Sequence, residues 1–390
     1  MRIGEREFRS RVARCAEAMR QAGFDALIAY ASHVHYGSVR YFTGYEPWLS
    51  PEEWAFAVIT PESEITLLSN SPWDFWEFNK KDATWVPDVV VGSKWTPAIT
   101  ALLPKNARNI GIAGWSAFPA AVYEGLRVTH PAATFADATE LVRGLRSLKS
   151  EAEIEILRLV GDLSDIAGQA MYDAARPGVT EREVVAQIDA ALMRGGAELM
   201  AYPTILGSGP KTVASCFQPT DKRISEGDVV QLDCGPMLDG YKADYSRVVL
   251  AGTSRPAAAL KLVETAAEMY EACEMKLRAG TRCSDVARAG LAVLEKRGYT
   301  RKNLFQSANY PDMIFMGHGI GLENPDPPGM VTLTNDRVLQ EGMVINLEPI
   351  LLDPGVGGAR METSFVITSA DPVGLTALGI RPWVTARRDG

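Results

Sequence analysis

The stretch from Val229 to Leu250 limits the fold more than any other part of the chain. Two apolar, β-branched runs, Val229-Val-Gln-Leu-Asp-Cys234 and Tyr245-Ser-Arg-Val-Val-Leu250, flank a turn containing Gly235, Pro236, Asp239 and Gly240. That pattern is a β-hairpin. It carries Asp233 and Asp244, whose midpoint falls between Leu238 and Asp239. A loop symmetric about that midpoint sets the two aspartates directly opposite each other, with Cβ atoms roughly 4.5–5.5 Å apart. Two carboxylates that close repel unless a cation sits between them. Taken alone, an acidic pair beside a turn is more often solvated surface than a ligand set. The rest of the chain decides between the two.

A second hairpin of the same kind follows. The runs beginning at Met343 and ending at Ile367 flank a turn centred on Gly355, and that centre places Glu348 opposite Glu362. The two hairpins follow two copies of a weak repeat. Arg176-Pro-Gly-Val-Thr-Glu-Arg-Glu-Val184 matches Arg278-Ala-Gly-Thr-Arg-Cys-Ser-Asp-Val286, and the same offset of 102 pairs Leu192 with Leu294 and Gly196 with Gly298. Each copy is a helix end, a glycine stop and a new helix. The second part of the chain is therefore two related halves, each giving a hairpin with opposed acids. Between the hairpins lies His318, with glycines on both sides that let backbone approach a ligand closely.

Asp233, Asp244, His318, Glu348 and Glu362 thus make one ligand set. Four carboxylates neutralise two divalent ions, and oxygen-rich ligation with one imidazole suits Mn, Fe, Co or Zn. Two ions roughly 3.5–4 Å apart fit between facing carboxylates, where they acidify a shared water and polarise a carbonyl.

Composition narrows the class. The chain has 390 residues, 46% of them hydrophobic and 23% charged, enough for two domains with their own cores. A formal charge of -8 argues against nucleic acid and anionic membrane as partners. No apolar run approaches a membrane span, and the start of the chain is polar, so a cytoplasmic enzyme is expected. The five cysteines form no CxxC pair, which leaves buried thiols as the default.

The first part alternates helix and strand. Phe8, Val12, Cys15, Met19 and Ala22 share a helical face over residues 5–23. Strands are expected at 25–30, 54–60, 64–69 and 109–113, with a helix near 119–126. That is an α/β domain. Tyr45, Trp48 and most of the tryptophans fall here; the simplest reading is a small aromatic core, with a share for a pocket or an interface. A boundary near 144–150 gives domains 1–146 and 147–390. A helix over about 151–175 opens the second, with Ile154, Leu157, Val160, Leu163 and Ile166 as its periodic set.

The second part resembles the pita-bread fold of metallopeptidase family M24, the family of methionine aminopeptidases, Xaa-Pro aminopeptidases, prolidases and creatinases. The matching residues are Leu232-Asp-Cys-Gly235, Ala243-Asp-Tyr-Ser-Arg247, Gly317-His-Gly-Ile-Gly-Leu322, Asn346-Leu-Glu-Pro349 and Arg360-Met-Glu362. Two-domain members carry an N-terminal α/β domain as well. The resemblance implies an α/β domain followed by an α+β pita-bread domain with an internal pseudo-twofold. It implies that Asp244 and Glu362 bridge two ions, that Asp233 binds one and His318 the other, and that Glu348 ligates and shuttles protons. Arg360 matches a position that hydrogen-bonds around the site, and a homodimer is implied too.

Two departures bear on activity. Cys216 and Pro325 occupy positions where the Xaa-Pro enzymes carry histidines that contact substrate and intermediate. Cysteine is a poor donor and the proline ring has none. Losing such a donor commonly costs about 10²–10³ in rate. Three readings follow. The first is a hydrolase of the Xaa-Pro peptidase kind acting on a short peptide. The second is a non-peptidase on the same scaffold, a C–N hydrolase or a dimethylsulfoniopropionate-lyase-like enzyme. It would act on a small zwitterion, with Trp48 and Tyr45 as a box for a cationic group and His33 and His35 as replacement donors. The third is a non-catalytic binding protein. Cys216 is read as a substrate-side residue filling vacated space rather than as a nucleophile, since no basic residue lies close to it in sequence.

Overall fold

The computed structural model describes residues 2–214, 216–305 and 314–381, in two compact units, Met1–Ser147 and Leu148–Gly390. In the first unit the chain runs α1 (Glu5–Ala22), β1 (Ala26–Ser32), α2 (Gly37–Thr43), β2 (Trp54–Ile59), β3 (Ile65–Ser69), α3 (Trp73–Ala83), β4 (Val89–Val91), α4 (Trp95–Leu102), β5 (Asn109–Ala113), α5 (Ala120–Thr129), β6 (Thr134–Asp137) and α6 (Thr139–Ser147). The six strands form one mixed sheet in the order β4-β3-β2-β1-β5-β6. Its inner strands β1, β2, β3 and β5 are almost wholly buried, which accounts for their near-continuous hydrophobic runs. Ile28, Phe56 and Ile112 pack with Trp95, Ile99 and Leu126 of the helices. The Phe56 and Trp95 rings meet at 4.9 Å, so aromatic residues of this unit do build its core.

The second unit continues with α7 (Glu151–Ala174), α8 (Glu181–Gly195), β7 (Leu199–Met200), β8 (Ile205–Ser208), β9 (Val229–Cys234), β10 (Pro236–Leu238), β11 (Tyr241–Lys242), β12 (Tyr245–Leu250), α9 (Ala257–Glu274), α10 (Cys283–Lys296), β13 (Phe315–Gly319), β14 (Asp326–Thr332), β15 (Val344–Leu347), β16 (Ile350–Asp353), β17 (Gly357–Arg360), β18 (Thr363–Val366) and β19 (Val373–Gly374). Ser150 and Thr180 start α7 and α8 with full capping boxes to Glu153 and Glu183. The repeat is visible in the helices, for α8 and α10 begin 102 residues apart, at Glu181 and Cys283. Helices α7 and α8 cover one core with β8, β9 and β12, while α9 and α10 cover a second. Among the described residues no helix is long and apolar enough to cross a membrane.

Three expectations need correction. Ala22 is exposed, because it is the last residue of α1 before the Gly23 cap and has left the core face. Ile166 is 37% exposed. A strict three-residue step rotates about 60° backward each time on a helix of 3.6 residues per turn. The five predicted positions therefore cannot share a face, and the buried stripe is Ile156, Leu157, Val160, Leu163, Ala167 and Met171. The third concerns the first hairpin. Its turn is Asp239-Gly240, flanked by the pair Leu238 and Tyr241. Both turn residues have positive φ, 49° and 77°, the requirement of a two-residue type I′ turn. The register moves by one residue on each strand, and Asp233 faces Ser246 rather than Asp244. Asp244 stands diagonally across, within reach on the same face. The second hairpin keeps the expected centre, since Asp353 pairs with Gly357 and Ile350 with Arg360.

Candidate metal centre

Neighbouring strands bring the acids together. A single bridge between Ser246 and Glu362 joins the two hairpins, and the Glu362 amide donates to the Ser246 carbonyl at 3.0 Å. Asp233, Ser246 and Glu362 therefore lie side by side on three adjacent segments. His318 enters from β13, paired with Asn346 of β15. Its glycine neighbour is required there: Gly317 has φ 148°, and a Cβ would fall 2.1 Å from the Asn346 carbonyl oxygen. Glu348 follows directly on β15, its amide bonded to the Met316 carbonyl at 2.8 Å.

All five predicted positions meet. Two overlapping groups of three offer ligand atoms within 4.8 Å of one another: Asp244, His318 and Glu348, and Asp233, Asp244 and Glu362. Asp244 belongs to both. All five residues are buried, Glu362 completely. His318 Nε2 lies 3.1 Å from Asp244 Oδ2 and 3.4 Å from Glu348 Oε2. Its Nδ1 faces the Gly319 carbonyl at 3.0 Å, which leaves Nε2 as the atom aimed at the cluster. Arg360 Nη1 donates to Asp233 Oδ2 and stands 3.5 Å from Glu348 and 3.4 Å from Glu362.

The donor set fits divalent metal. Four carboxylates face one guanidinium and one imidazole, so negative charge is in excess. Both carboxylate oxygens of Glu362 are buried and, among the described residues, accept no hydrogen bond. A buried polar atom without a partner is costly in a protein that supplies nothing else. Without metal, protons fill the gap. Burial, opposed by Arg360 and reinforced by Asp244, pushes Asp233 up to about 7. Burial with Asp244 and Glu348 pushes Glu362 well above the carboxylate range. Burial works against a charged His318, but its bonds to Asp244 and Glu348 raise it to about 10. For Asp244 burial is likewise outweighed by His318, which holds it low.

Sequence reasoning missed two residues. The Tyr202 phenol, between β7 and β8, sits 2.6 Å from Asp233 Oδ1 and also against Asp244 Oδ1. One phenol carries one proton, so two such contacts imply a proton on one of the acids, in keeping with the raised Asp233. The Asn324 amide donates to Asp244 Oδ2 at 2.7 Å. It stands next to Pro325, and a polar residue beside the lost donor position was the signal. Pro325 itself is exposed.

The remaining candidates lie elsewhere or at the edge. Cys216 is an exposed thiol within electrostatic reach of Arg360. In the N-terminal unit Trp48 is 51% exposed, and His33 and His35 are exposed as well. Tyr45 cannot form half of an aromatic box. It is buried against Trp76, with its hydroxyl bonded to Glu53 at 2.5 Å.

Comparison with known proteins gives two family matches. Residues 155–369 match metallopeptidase family M24, and residues 11–148 match the creatinase/prolidase N-terminal domain. An Xaa-Pro dipeptidase of Pyrococcus furiosus is 30% identical over 266 residues, 68% of this chain and 72% of that protein. One from Lactobacillus delbrueckii subsp. lactis is 29% identical over 362 residues, covering 90% and 92%. The crystal structure of the prolidase from Pyrococcus horikoshii OT3 superposes with a TM-score of 0.82 at 26% identity, over 95% of this chain and 99% of that one.

Proposed function

Because the chain belongs to metallopeptidase family M24, we propose that it is a dinuclear metal-dependent hydrolase that cleaves short Xaa-Pro peptides. The observation that carries this is the sharing of Asp244 between two three-residue ligand groups. In this reading Asp233, Asp244 and Glu362 would hold one ion, and Asp244, His318 and Glu348 the other. Bound there, two ions of Mn, Fe, Co or Zn would acidify a shared water and polarise the scissile carbonyl.

The chain's own residues do the rest. Glu348 Oε2, 3.4 Å from His318 Nε2, takes the proton that the attacking water loses and passes it to the leaving proline nitrogen. Arg360 holds Asp233 and steadies Glu348 and Glu362. Tyr202 and Asn324 orient Asp244 from two sides, as outer partners of a ligand do. Cys216 lines the substrate side. The substrate role read for Trp48 rests on the sequence, and a Trp48→Ala variant with unchanged kcat and KM would remove it. The dipeptidase names of the relatives favour this over the small-zwitterion reading, as does the occupied Tyr45. A homodimer is part of the proposal, and light scattering tests it.

The main test is elemental analysis of the metal-loaded protein, with Leu-Pro and Gly-Pro hydrolysis assayed on the same sample. Two ions per chain with cleavage are expected. Two ions without cleavage overturn the peptidase reading, and fewer than one ion overturns the metal centre itself.

A further inference from the structure

Arg247 of β12 is 1% exposed, yet its Nη donors go to oxygens that carry no formal charge. Nη1 donates to the carbonyls of Ser246 at 2.9 Å and Glu362 at 2.6 Å. Nη2 donates to Thr363 Oγ1 at 3.2 Å, to Thr376 Oγ1 at 3.4 Å and to the Leu378 carbonyl. One guanidinium therefore ties Ser246, which faces Asp233, and Glu362 to the segment Leu375–Leu378.

That segment is itself fastened. The Leu375 amide donates to the Ser364 carbonyl at 2.9 Å. Asp165 of α7 accepts from the amides of Ala377 at 2.6 Å and Leu378 at 2.9 Å. Helix α7 is notched to admit it. A Cβ on Gly161 would fall 1.7 Å from the Leu375 carbonyl oxygen, and one on Gly168 would fall 2.6 Å from Leu378 Cδ2. Asp165 and Arg247 grip the same stretch of backbone, one by its N–H groups and the other by its C=O.

We infer that Leu375–Leu378 is a strap that sets the metal centre, with Arg247 as the positioning residue for Glu362. Among the described residues the carboxylate of Glu362 accepts no hydrogen bond and meets Arg360 Nη1 only at ion-pair distance, 3.4 Å, so its aim rests largely on its backbone. That backbone is held by two bonds, from its amide to Ser246 and from Arg247 to its carbonyl. A ligand constellation must be held within about 0.5 Å to work. The inference rests on reading the cluster as a metal site.

The test is calorimetric Mn²⁺ titration of the chelator-treated full chain, at a temperature where circular dichroism shows each variant folded. Arg247→Gln is expected to weaken Mn²⁺ binding about 10–100-fold, the usual cost of losing an outer partner. Arg247→Lys recovers part of the loss, since it keeps the charge but cannot reach all five oxygens. Asp165→Asn shifts affinity the same way by less, because it acts only through the strap. If Arg247→Gln does not fold, Asp165→Asn decides: weaker binding supports the strap and unchanged binding overturns it. Variants with lower thermal midpoints but wild-type Mn²⁺ affinity reduce Arg247 to a structural role. A wild type that binds no Mn²⁺ overturns the metal reading and this inference with it; a wild type that binds, with unaltered variants, overturns the inference alone.

Discussion

Glu181 and Glu362 are both fully buried in the same unit, yet the protein treats them in opposite ways. Glu181 accepts from the Ser208 amide and hydroxyl at 3.0 Å each, from Lys211 at 2.6 Å, and from the Thr220 amide and hydroxyl at 2.9 and 2.8 Å. Burial pushes its pKa up, but those bonds outweigh it and hold the acid below its ordinary range. Glu362, among the described residues, accepts no hydrogen bond and has only the Arg360 guanidinium at 3.4 Å, and burial with its acidic neighbours drives it far above that range. A buried acid that serves the fold is satisfied by the fold. One that serves a ligand is left wanting until the ligand arrives.

The sharpest way to break this contrast is at Asp244, the acid common to both ligand groups. Asp244→Asn is expected to reduce bound metal from two ions to fewer than one. Hydrolysis should fall by more than the about 10²–10³-fold that a single transition-state donor is worth. Retention of two ions and activity would show that Asp244 is not a shared ligand of the centre. Elemental analysis beside a Gly-Pro assay decides.

The matched pair Glu181→Gln and Glu362→Gln comes next. Glu181→Gln strips Lys211 of its counter-charge, and breaking such a pair costs about 3 kcal/mol, at the low end because Lys211 is 26% exposed. Metal stoichiometry should stay unchanged. Glu362→Gln should do the reverse, leaving metal-free stability no lower, since the protonated acid and the amide are near isosteres, while metal binding collapses. Denaturant titration of the metal-free proteins, with elemental analysis, reads both.

How much of this was legible beforehand depended on the kind of interaction. The acids and His318 could be found because a carboxylate pair across a hairpin is a local pattern, and the Gly355 turn has one clear centre. The first hairpin misled because Gly235-Pro236 and Asp239-Gly240 are both turn-forming, and only the positive φ of the second selects the register. Tyr202 was invisible, since it reaches Asp233 from 31 residues away with no spacing rule to link them. Tyr45 could not be assigned to core or box until Glu53 and Ser71 were seen on its hydroxyl.

Acidity separates the two regions further. Asp233 releases its proton near 3.8 when unfolded and at about 7 when folded without metal. His318 does so near 6.5 and at about 10. In both cases the folded state holds the proton longer, so metal-free stability falls as pH rises through those windows. Metal replaces the protons, and its binding therefore strengthens over the same range. The rise in thermal midpoint on adding Mn²⁺ should be larger at pH 8 than at pH 5. Glu181, whose folded pKa is lowered, contributes stability that is lost only as pH falls through that folded pKa. An equal Mn²⁺ effect at both pH values would mean that the cluster is not holding protons for the metal to displace.

The smallest effect is expected where the two regions meet. Lys211 and Thr220, both bonded to Glu181, bracket the segment that carries Cys216, and Thr212 pins the same segment to the Gly358 amide at 2.7 Å. The satisfied network thus anchors the segment that carries Cys216, whose thiol lies within electrostatic reach of Arg360. A thiol is a weak donor, and a lost neutral hydrogen bond is worth about 0.5–1.5 kcal/mol at most. Cys216→Ala should raise KM for Gly-Pro about twofold and leave kcat and metal stoichiometry unaltered, the signature of uniform binding. A fall in kcat of about 10²-fold would instead give Cys216 a part in the transition state.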